Sequence, residues 1–526
     1  MTLRRTRRTR LRGVTGAAIG LALIATAGCS ATGDGTEPSS PGRNGGQLPS
    51  SLTGQRLHWG ACPAPDPSQG GGSAPDGSWQ CSTLTVPLDY AKPEGETIGI
   101  ALIRARAAEG SRRLGSLIFN FGGPGGSGVV GLPESADRFD KLRARYDLVS
   151  FDPRGVGRSE GITCLGDADL DRYYATDFTP DDAAERARAD AAEKEYIDAC
   201  RKKSSSILPH VDTESVARDV DLMREVLGDS RTAFFGFSYG TQLGAVYAHL
   251  FPDRVGRFVL DGAVDPTQDR VQSALAQTKG FQLALDNYMK DCARRVEQCP
   301  TGRGGSEGNG ILAALLEELE EKPLPTAEGR VLTAGLAHAG IASALYTEEA
   351  WEYLTEGLRQ ALSEQRGDIL LALADIHLER GEDGRYSSLH ASHRSVTCAD
   401  FAERPGKEDV ARLLPEFRKA SPVFGEYAAW GLTGCSGWPV AGKSLKPEVA
   451  APGAAPVLVI GVTGDPATPY AGARNLARAL GDSVGVDVSL AGEGHGAYFA
   501  GSHCLTGLVD DYLLNGEVPE RGTACA

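Results

Sequence analysis

The stretch that most restricts what this chain can fold into runs from Thr232 to Leu250: an apolar segment, TAFFG, then GFSYG, then TQLGAVYAHL. The first segment reads as a buried strand and the last as a helix. Between them Ser238 stands two residues from a glycine on either side. A turn that passes straight from strand to helix crowds those flanking positions, and only tiny residues fit them. The serine at its apex is held in a strained backbone, with its hydroxyl at the end of the sheet near a helix N-terminus. The pattern G-x-S-x-G by itself fits a bland glycine turn equally well. The flanking strand and helix favour the chemical reading.

The surrounding chain repeats the alternation. Strands are expected at 82–86, 98–104, 117–121, 146–151, 257–260, 457–462 and 484–490, and helices at 213–227, 241–250, 471–480 and 506–515. Strand and helix in turn, with loops at strand ends, predict a mostly parallel sheet flanked by helices. From 266 to 450 strand signals fade, and the segment reads as mainly helical with four cysteines. The expected organisation is an α/β core over 56–265 and 451–526, split by a large helical cap insertion at 266–450.

A serine hydroxyl is a weak nucleophile and needs a base. Of nine histidines, His495 alone sits in a glycine-rich loop just after a core strand, in SLAGEGHGAYF. A lone histidine is more often core or surface filler, and His503, leading into the last helix, is the rival. The base needs an orienting carboxylate. Asp465, in GVTGDPATPY, ends the strand 457–462, while Asp261 is the alternative at the end of the preceding strand. Ser238, Asp465 and His495 occur in the chain order of α/β-hydrolases. An oxyanion needs donors. The backbone N–H of Tyr239 follows the nucleophile, and GGPGGSG (122–128) follows the strand 117–121. That loop lacks the G-K-[ST] ending of a phosphate-binding P-loop.

The N-terminus sets the compartment. MTLRRTRRTRLRG is basic and precedes an apolar run of about 15 residues, the form of a signal peptide over 1–28. Sec and twin-arginine export remain equal alternatives. Thr26-Ala27-Gly28-Cys29 resembles a lipobox, with Thr where Leu is usual, so Cys29 is the expected lipidation site. Residues 29–55 read as a Gly/Pro/Ser-rich tether. The other ten cysteines fall as near neighbours, Cys62 and Cys81, Cys164 and Cys200, Cys292 and Cys299, Cys398 and Cys435, Cys504 and Cys525; disulfides in that order are one of many possible connectivities. No C-x-x-C pair suggests zinc, and neither metal nor cofactor is expected. A net charge of −15 argues against nucleic acid as a partner. The membrane is expected to be met only through the lipid anchor.

Taken together, GGPGGSG, FDPRGVGRSEG (151–161), FGFSYGTQLGAVYAHLFPDRVGRFVLDGAVDP (235–266), VTCAD, GDPATP (464–469) and GHG (494–496) resemble the secreted tripeptidyl aminopeptidases of actinobacteria, prolyl-iminopeptidase-like α/β-hydrolases. The resemblance runs from Leu57 to Ala526. One departure is Asn120-Phe121, where Asn-Pro is frequent. It implies Ser238 as nucleophile, Asp465 as acid, His495 as base, and Gly123 and Tyr239 as the oxyanion hole. It also implies an exported serine exopeptidase that releases short peptides, tripeptides by analogy, from free N-termini of peptides or proteins. Asp400, in VTCAD, is the candidate for the substrate amine; Glu317, Glu318, Glu320 and Glu321 read instead as a solvated helix face. An esterase or lipase of the same fold and a non-catalytic cell-envelope binding protein are the alternatives.

Overall fold

The computed structural model describes residues 48–526. The signal-peptide segment, Cys29 and most of the tether lie outside the described residues. A ten-stranded sheet runs in the order β1-β2-β3-β5-β4-β6-β7-β10-β11-β12. Its strands are β1 (Gly60–Ala61), β2 (Trp79–Pro87), β3 (Thr97–Ala105), β4 (Gly115–Asn120), β5 (Tyr146–Phe151), β6 (Thr232–Phe237), β7 (Val255–Asp261), β10 (Val457–Gly464), β11 (Gly485–Glu493) and β12 (Thr523–Cys525). The strands β8 (Leu324–Pro325) and β9 (Val331–Leu332) form a small hairpin apart from it. β1, β2 and β3 pair antiparallel, and β3 joins β5 antiparallel. From β5 through β4, β6, β7, β10, β11 and β12 every pairing is parallel.

The central strands read as unbroken apolar runs because helices cover both faces of the sheet. Successive residues point to opposite sides: Ile118, Val149 and Phe234 join one core, and Leu117, Leu148 and Phe235 the other. Register does the positioning. Asn120 pairs with Gly236, Phe237 with Asp261, and Asp261 with Ile460. The C-terminal ends of β4, β6, β7 and β10 therefore finish along one edge, the place where parallel sheets bind their ligands.

Between β7 and β10 the chain is helical apart from the small hairpin, from Arg270 to Gly431. This segment has its own core, including Leu285, Met289, Leu312, Leu336, Ile341, Leu354 and Leu370. Two helices that periodicity did not reveal, Asp167–Tyr174 and Ala183–Ser204, attach to it. Asp171 meets Arg380 at 2.8 Å, and Glu193 pairs with Arg394. Asp167–Tyr174 buries no residue fully, and the long helix holds small apolar residues among charges, so neither shows a strong apolar stripe.

The expectation of a tether to residue 55 does not hold at its end. Ser50–Thr53 is a short helix, Leu52 is buried in the core, and Gln55 Nε2 donates to Thr85 O at 2.9 Å. Leu48 also packs against that core, so the segment is docked by two leucines and a backbone-bonded glutamine. The ten cysteines among the described residues pair in sequence order: Cys62–Cys81, Cys164–Cys200, Cys292–Cys299, Cys398–Cys435 and Cys504–Cys525. No helix among the described residues is long and apolar enough to cross a membrane.

Candidate active site

Ser238 lies at the sheet edge between β6 and the helix Tyr239–Leu250, with φ 55° and ψ −122°. That conformation is costly for a residue with a side chain, and such strain persists only where packing enforces it. Packing does so here. The Ser238 N–H donates to Asp261 O at 2.9 Å. A Cβ on Gly236 would lie 2.3 Å from Gly240 O, so the turn can close only with glycine.

The candidate base and the candidate acid meet. His495 Nδ1 lies 2.9 Å from both carboxylate oxygens of Asp465. Asp465, 1% exposed, also accepts the N–H groups of Ala467 and Thr468 and the Thr468 hydroxyl. Burial pulls the His495 pKa down. The Asp465 charge and hydrogen bond, with Asp261 behind them, outweigh burial and leave it above its ordinary value. The His495 N–H donates to Tyr346 O at 2.8 Å, and the Tyr346 ring stands edge-to-face on the imidazole at 5.5 Å. Ser238 and His495 line one cavity; among the described residues no hydrogen bond joins them. His503, the rival base, is outside that cavity lining.

Asp261 does a different task from the one weighed for it. Its carboxylate accepts the N–H of Ala497 at 2.8 Å and that of Tyr498 at 2.8 Å. Burial raises its pKa to about 6. It braces the histidine loop from below while its carbonyl braces the serine turn.

Among the described residues neither the Gly123 N–H nor the Tyr239 N–H has an acceptor. The two segments touch: a Cβ on Gly122 would stand 2.6 Å from Phe237 O and 3.3 Å from Tyr239 N. The loop is held by Asp152, which accepts Ser127 Oγ at 2.6 Å, Gln69 Nε2 at 2.8 Å and the Arg158 N–H at 3.1 Å. This accounts for the aspartate of FDPRG. Its arginine, Arg154, is fully buried on Asp219 and three backbone carbonyls.

Asp400 is not placed to meet a substrate amine. Its carboxylate accepts the N–H of Thr213 at 2.8 Å, the Thr213 hydroxyl at 2.6 Å and Gln242 Nε2 at 3.3 Å. Thr213 Oγ1 in turn lies 2.7 Å from the Tyr239 hydroxyl. Its neighbours Thr397 and Phe401 line the cavity, and Asp400 lies behind them.

The cavity has a volume of about 1350 Å³. Its walls come from the serine turn, the 122–134 segment, the helical segment and the two helices Asp167–Tyr174 and Ala183–Ser204. Glu134 and Glu379 line it without an ion-pair partner among the described residues, and their charges repel. His377 and His393 also line it; burial first, then neighbouring imidazoles, lower the His377 pKa to about 3, so it is neutral near pH 7. Among the described residues no group of three His, Cys, Asp or Glu is arranged to hold a metal ion.

Comparison with known proteins accords with this geometry. The family described as alpha/beta hydrolase fold matches residues 115–298, and the family described as TAP-like protein matches 421–525. Serine protease Hip1 of Mycobacterium tuberculosis is 36% identical over 490 residues, covering 90% of this chain and 91% of that protein. Carboxylesterase B of the same species is 35% identical, covering 85% and 86%. The tripeptidyl aminopeptidase of Streptomyces lividans is 31% identical, covering 85% and 83%. The chain is an enzyme of the TAP-like family of α/β-hydrolases, the group that includes these actinobacterial serine peptidases.

Proposed function

We propose that the protein is an exported serine exopeptidase that releases short peptides, tripeptides by analogy with its relative, from free N-termini. The observation that carries this reading is the His495–Asp465 pair, 2.9 Å apart, with His495 lining the same cavity as the strained Ser238. In the proposed reaction Ser238 Oγ attacks the scissile carbonyl carbon as His495 Nε2 takes its proton. Asp465 fixes the tautomer by accepting Nδ1–H and stabilises the imidazolium that forms. The N–H groups of Gly123 and Tyr239, which have no other acceptor, hold the oxyanion. His495 then protonates the leaving amine, and water deprotonated by the same imidazole clears the acyl-enzyme.

The carboxylates of Glu134 and Glu379, which line the cavity without an ion-pair partner among the described residues, support the exopeptidase reading because they suit it to a cationic chain terminus. The test compares Ala-Pro-Ala carrying a fluorogenic C-terminal reporter with its N-acetyl form. Only the free amine should turn over, and Ser238→Ala should lower kcat by on the order of 10⁴-fold. An esterase is the second reading, favoured by the likeness to carboxylesterase B; equal turnover of both peptides together with fast ester cleavage would support it. Export and an anchor at Cys29 complete the proposal. Five disulfides favour an oxidising compartment, and Cys29→Ala should shift the protein from the membrane fraction to the medium.

A further inference from the structure

The cavity that Ser238 and His495 line also carries unpaired positive charge. Four cationic side chains line the cavity: Arg186, Arg270, Arg394 and Lys407. Arg394 pairs with Glu193, and Lys407 with Asp190. Like Arg186, Arg270 makes no ion pair among the described residues. It begins the helix Arg270–Arg295, and its Nη2 donates only to Gly431 O, at 3.3 Å. Its Nη1 is buried without any acceptor. The nearby carboxylate of Glu403 accepts the backbone N–H of Arg270 at 2.7 Å rather than its guanidinium. Burial, then the charges of Arg394 and Arg404, lower its pKa to about 10.

A second donor of the same cavity lining is also unmet. Trp430, the residue before Gly431, lines the cavity, and its Nε1 is buried without an acceptor. Trp430 and, from the helix that Arg270 begins, Val271 and Ala274 pack against one small core of Val410, Phe417, Ala429 and Leu432. Buried polar groups are nearly always satisfied, and an unpaired buried cation is costly. Two donors of one cavity lining without acceptors, one of them charged, call for an anionic acceptor with several lone pairs. A carboxylate meets a guanidinium in that way.

We propose that Arg270, together with Trp430, recognises a carboxylate of the substrate within the cavity. The inference rests on the peptidase reading and deepens it: the preferred substrate bears a carboxylate at one fixed distance from the scissile bond. That group is either an Asp or Glu side chain or the free C-terminus of a short peptide. The guanidinium must turn a donor toward the carboxylate as it binds.

The experiment measures kcat/KM for two sets of free-amine peptides. One scans Glu against Gln through each position of a reporter peptide. The other compares unlabelled oligopeptides ending in a free acid or an amide, with products read by mass spectrometry. In the wild-type enzyme one pair should show a preference for the carboxylate of at least about tenfold, the scale of a charge-assisted hydrogen bond. The Glu/Gln arm identifies a side chain as the source, and the acid/amide arm a C-terminus. Arg270→Met should remove that ratio, and Arg270→Lys should keep part of it. Fluorophosphonate labelling of each variant verifies a folded site. A wild-type enzyme indifferent to the carboxylate in both arms overturns the proposal without any variant, and so does a ratio unchanged in a labelled Arg270→Met enzyme. Turnover of the neutral Gln and amide peptides reports on the peptidase reading separately. If no peptide is cleaved, that reading fails, and p-nitrophenyl esters with and without a terminal carboxylate put the same question to the same variants.

Discussion

The Asp261 carboxylate accepts the backbone N–H of Ala497 at 2.8 Å, two residues beyond His495. Its carbonyl accepts the N–H of Ser238 at 2.9 Å. One residue at the end of β7 thus fixes the loop of the base and the turn of the nucleophile together. It acts through the backbone, whereas Asp465 touches the imidazole itself. The two acids are separable by substitution. Asp465→Asn should lower kcat by about 10³–10⁴-fold, because an amide donor favours the wrong tautomer. Asp261→Asn should reduce kcat by roughly tenfold or less and cost about 1–3 kcal/mol of stability, since it leaves a buried N–H without an acceptor. Steady-state kinetics and thermal melts on both variants test this, and the reverse order in kcat would make Asp261 the catalytic acid.

The pH profile follows from His495. It must be neutral to accept the Ser238 proton, and its pKa stands above the ordinary value near 6.5. The acid limb of kcat/KM should therefore have its midpoint above 6.5, not below. Removing the cause should move the limb: in Asp465→Asn the residual activity should lose its acid limb toward lower pH. Linkage has the opposite sense for stability. A raised histidine pKa contributes stability below the unfolded value, and that contribution fades as pH rises through the folded one. A limb with its midpoint below 6.5 in the wild-type enzyme would contradict the Asp465–His495 coupling.

The sheet was legible because buried parallel strands advertise themselves as apolar runs and G-x-S-x-G fixes where one of them ends. β6 begins at Thr232 and the following helix ends at Leu250, as periodicity indicated. Asp465 and His495 were legible because each comes straight after a core strand, His495 within a glycine-rich loop. Asp400 was not, because VTCAD gives the helix but not the register that turns its carboxylate toward Thr213. Tyr346 was invisible for a different reason. It contributes its backbone carbonyl, which every residue possesses, from a segment whose docking on the core no local pattern encodes. Arg270 stands in a run of ordinary helix formers, and only the absence of a partner in three dimensions distinguishes it.

Tyr346 ties the helical segment to His495, the proposed base. Its carbonyl takes the His495 N–H, and its ring meets the imidazole edge-to-face at 5.5 Å. Such aromatic pairs contribute about 0.5–1.5 kcal/mol. Tyr346→Ala keeps the carbonyl and loses the ring, so kcat should fall by about 2–10-fold. Tyr346→Phe keeps both and should stay within about twofold, since the ring contact does not need the hydroxyl. A large loss in the Phe variant would assign the hydroxyl a place in the reaction, and stopped-time assays at saturating peptide would separate it from a change in KM.

Asp400 offers a stability test that also checks its removal from the substrate site. Burial, its largest influence, raises its pKa to about 7, against the lowering effect of its bonds to Thr213. Between roughly pH 4 and 7 the folded protein therefore holds a proton that the unfolded chain releases. Stability from this group is complete below the unfolded pKa and is lost as pH rises through the folded one. The loss should be on the order of 2 kcal/mol. Asp400→Asn keeps an acceptor for the Thr213 hydroxyl and has no proton to exchange. Its thermal midpoint should consequently fall less than that of the wild type between pH 4.5 and pH 7.5. Parallel profiles for the two proteins would show that Asp400 titrates normally. The same variant should leave the KM of a free-amine peptide within a few-fold, because the carboxylate is committed to Thr213 behind the cavity wall. A selective rise in that KM, absent for an ester substrate, would return Asp400 to the amine site.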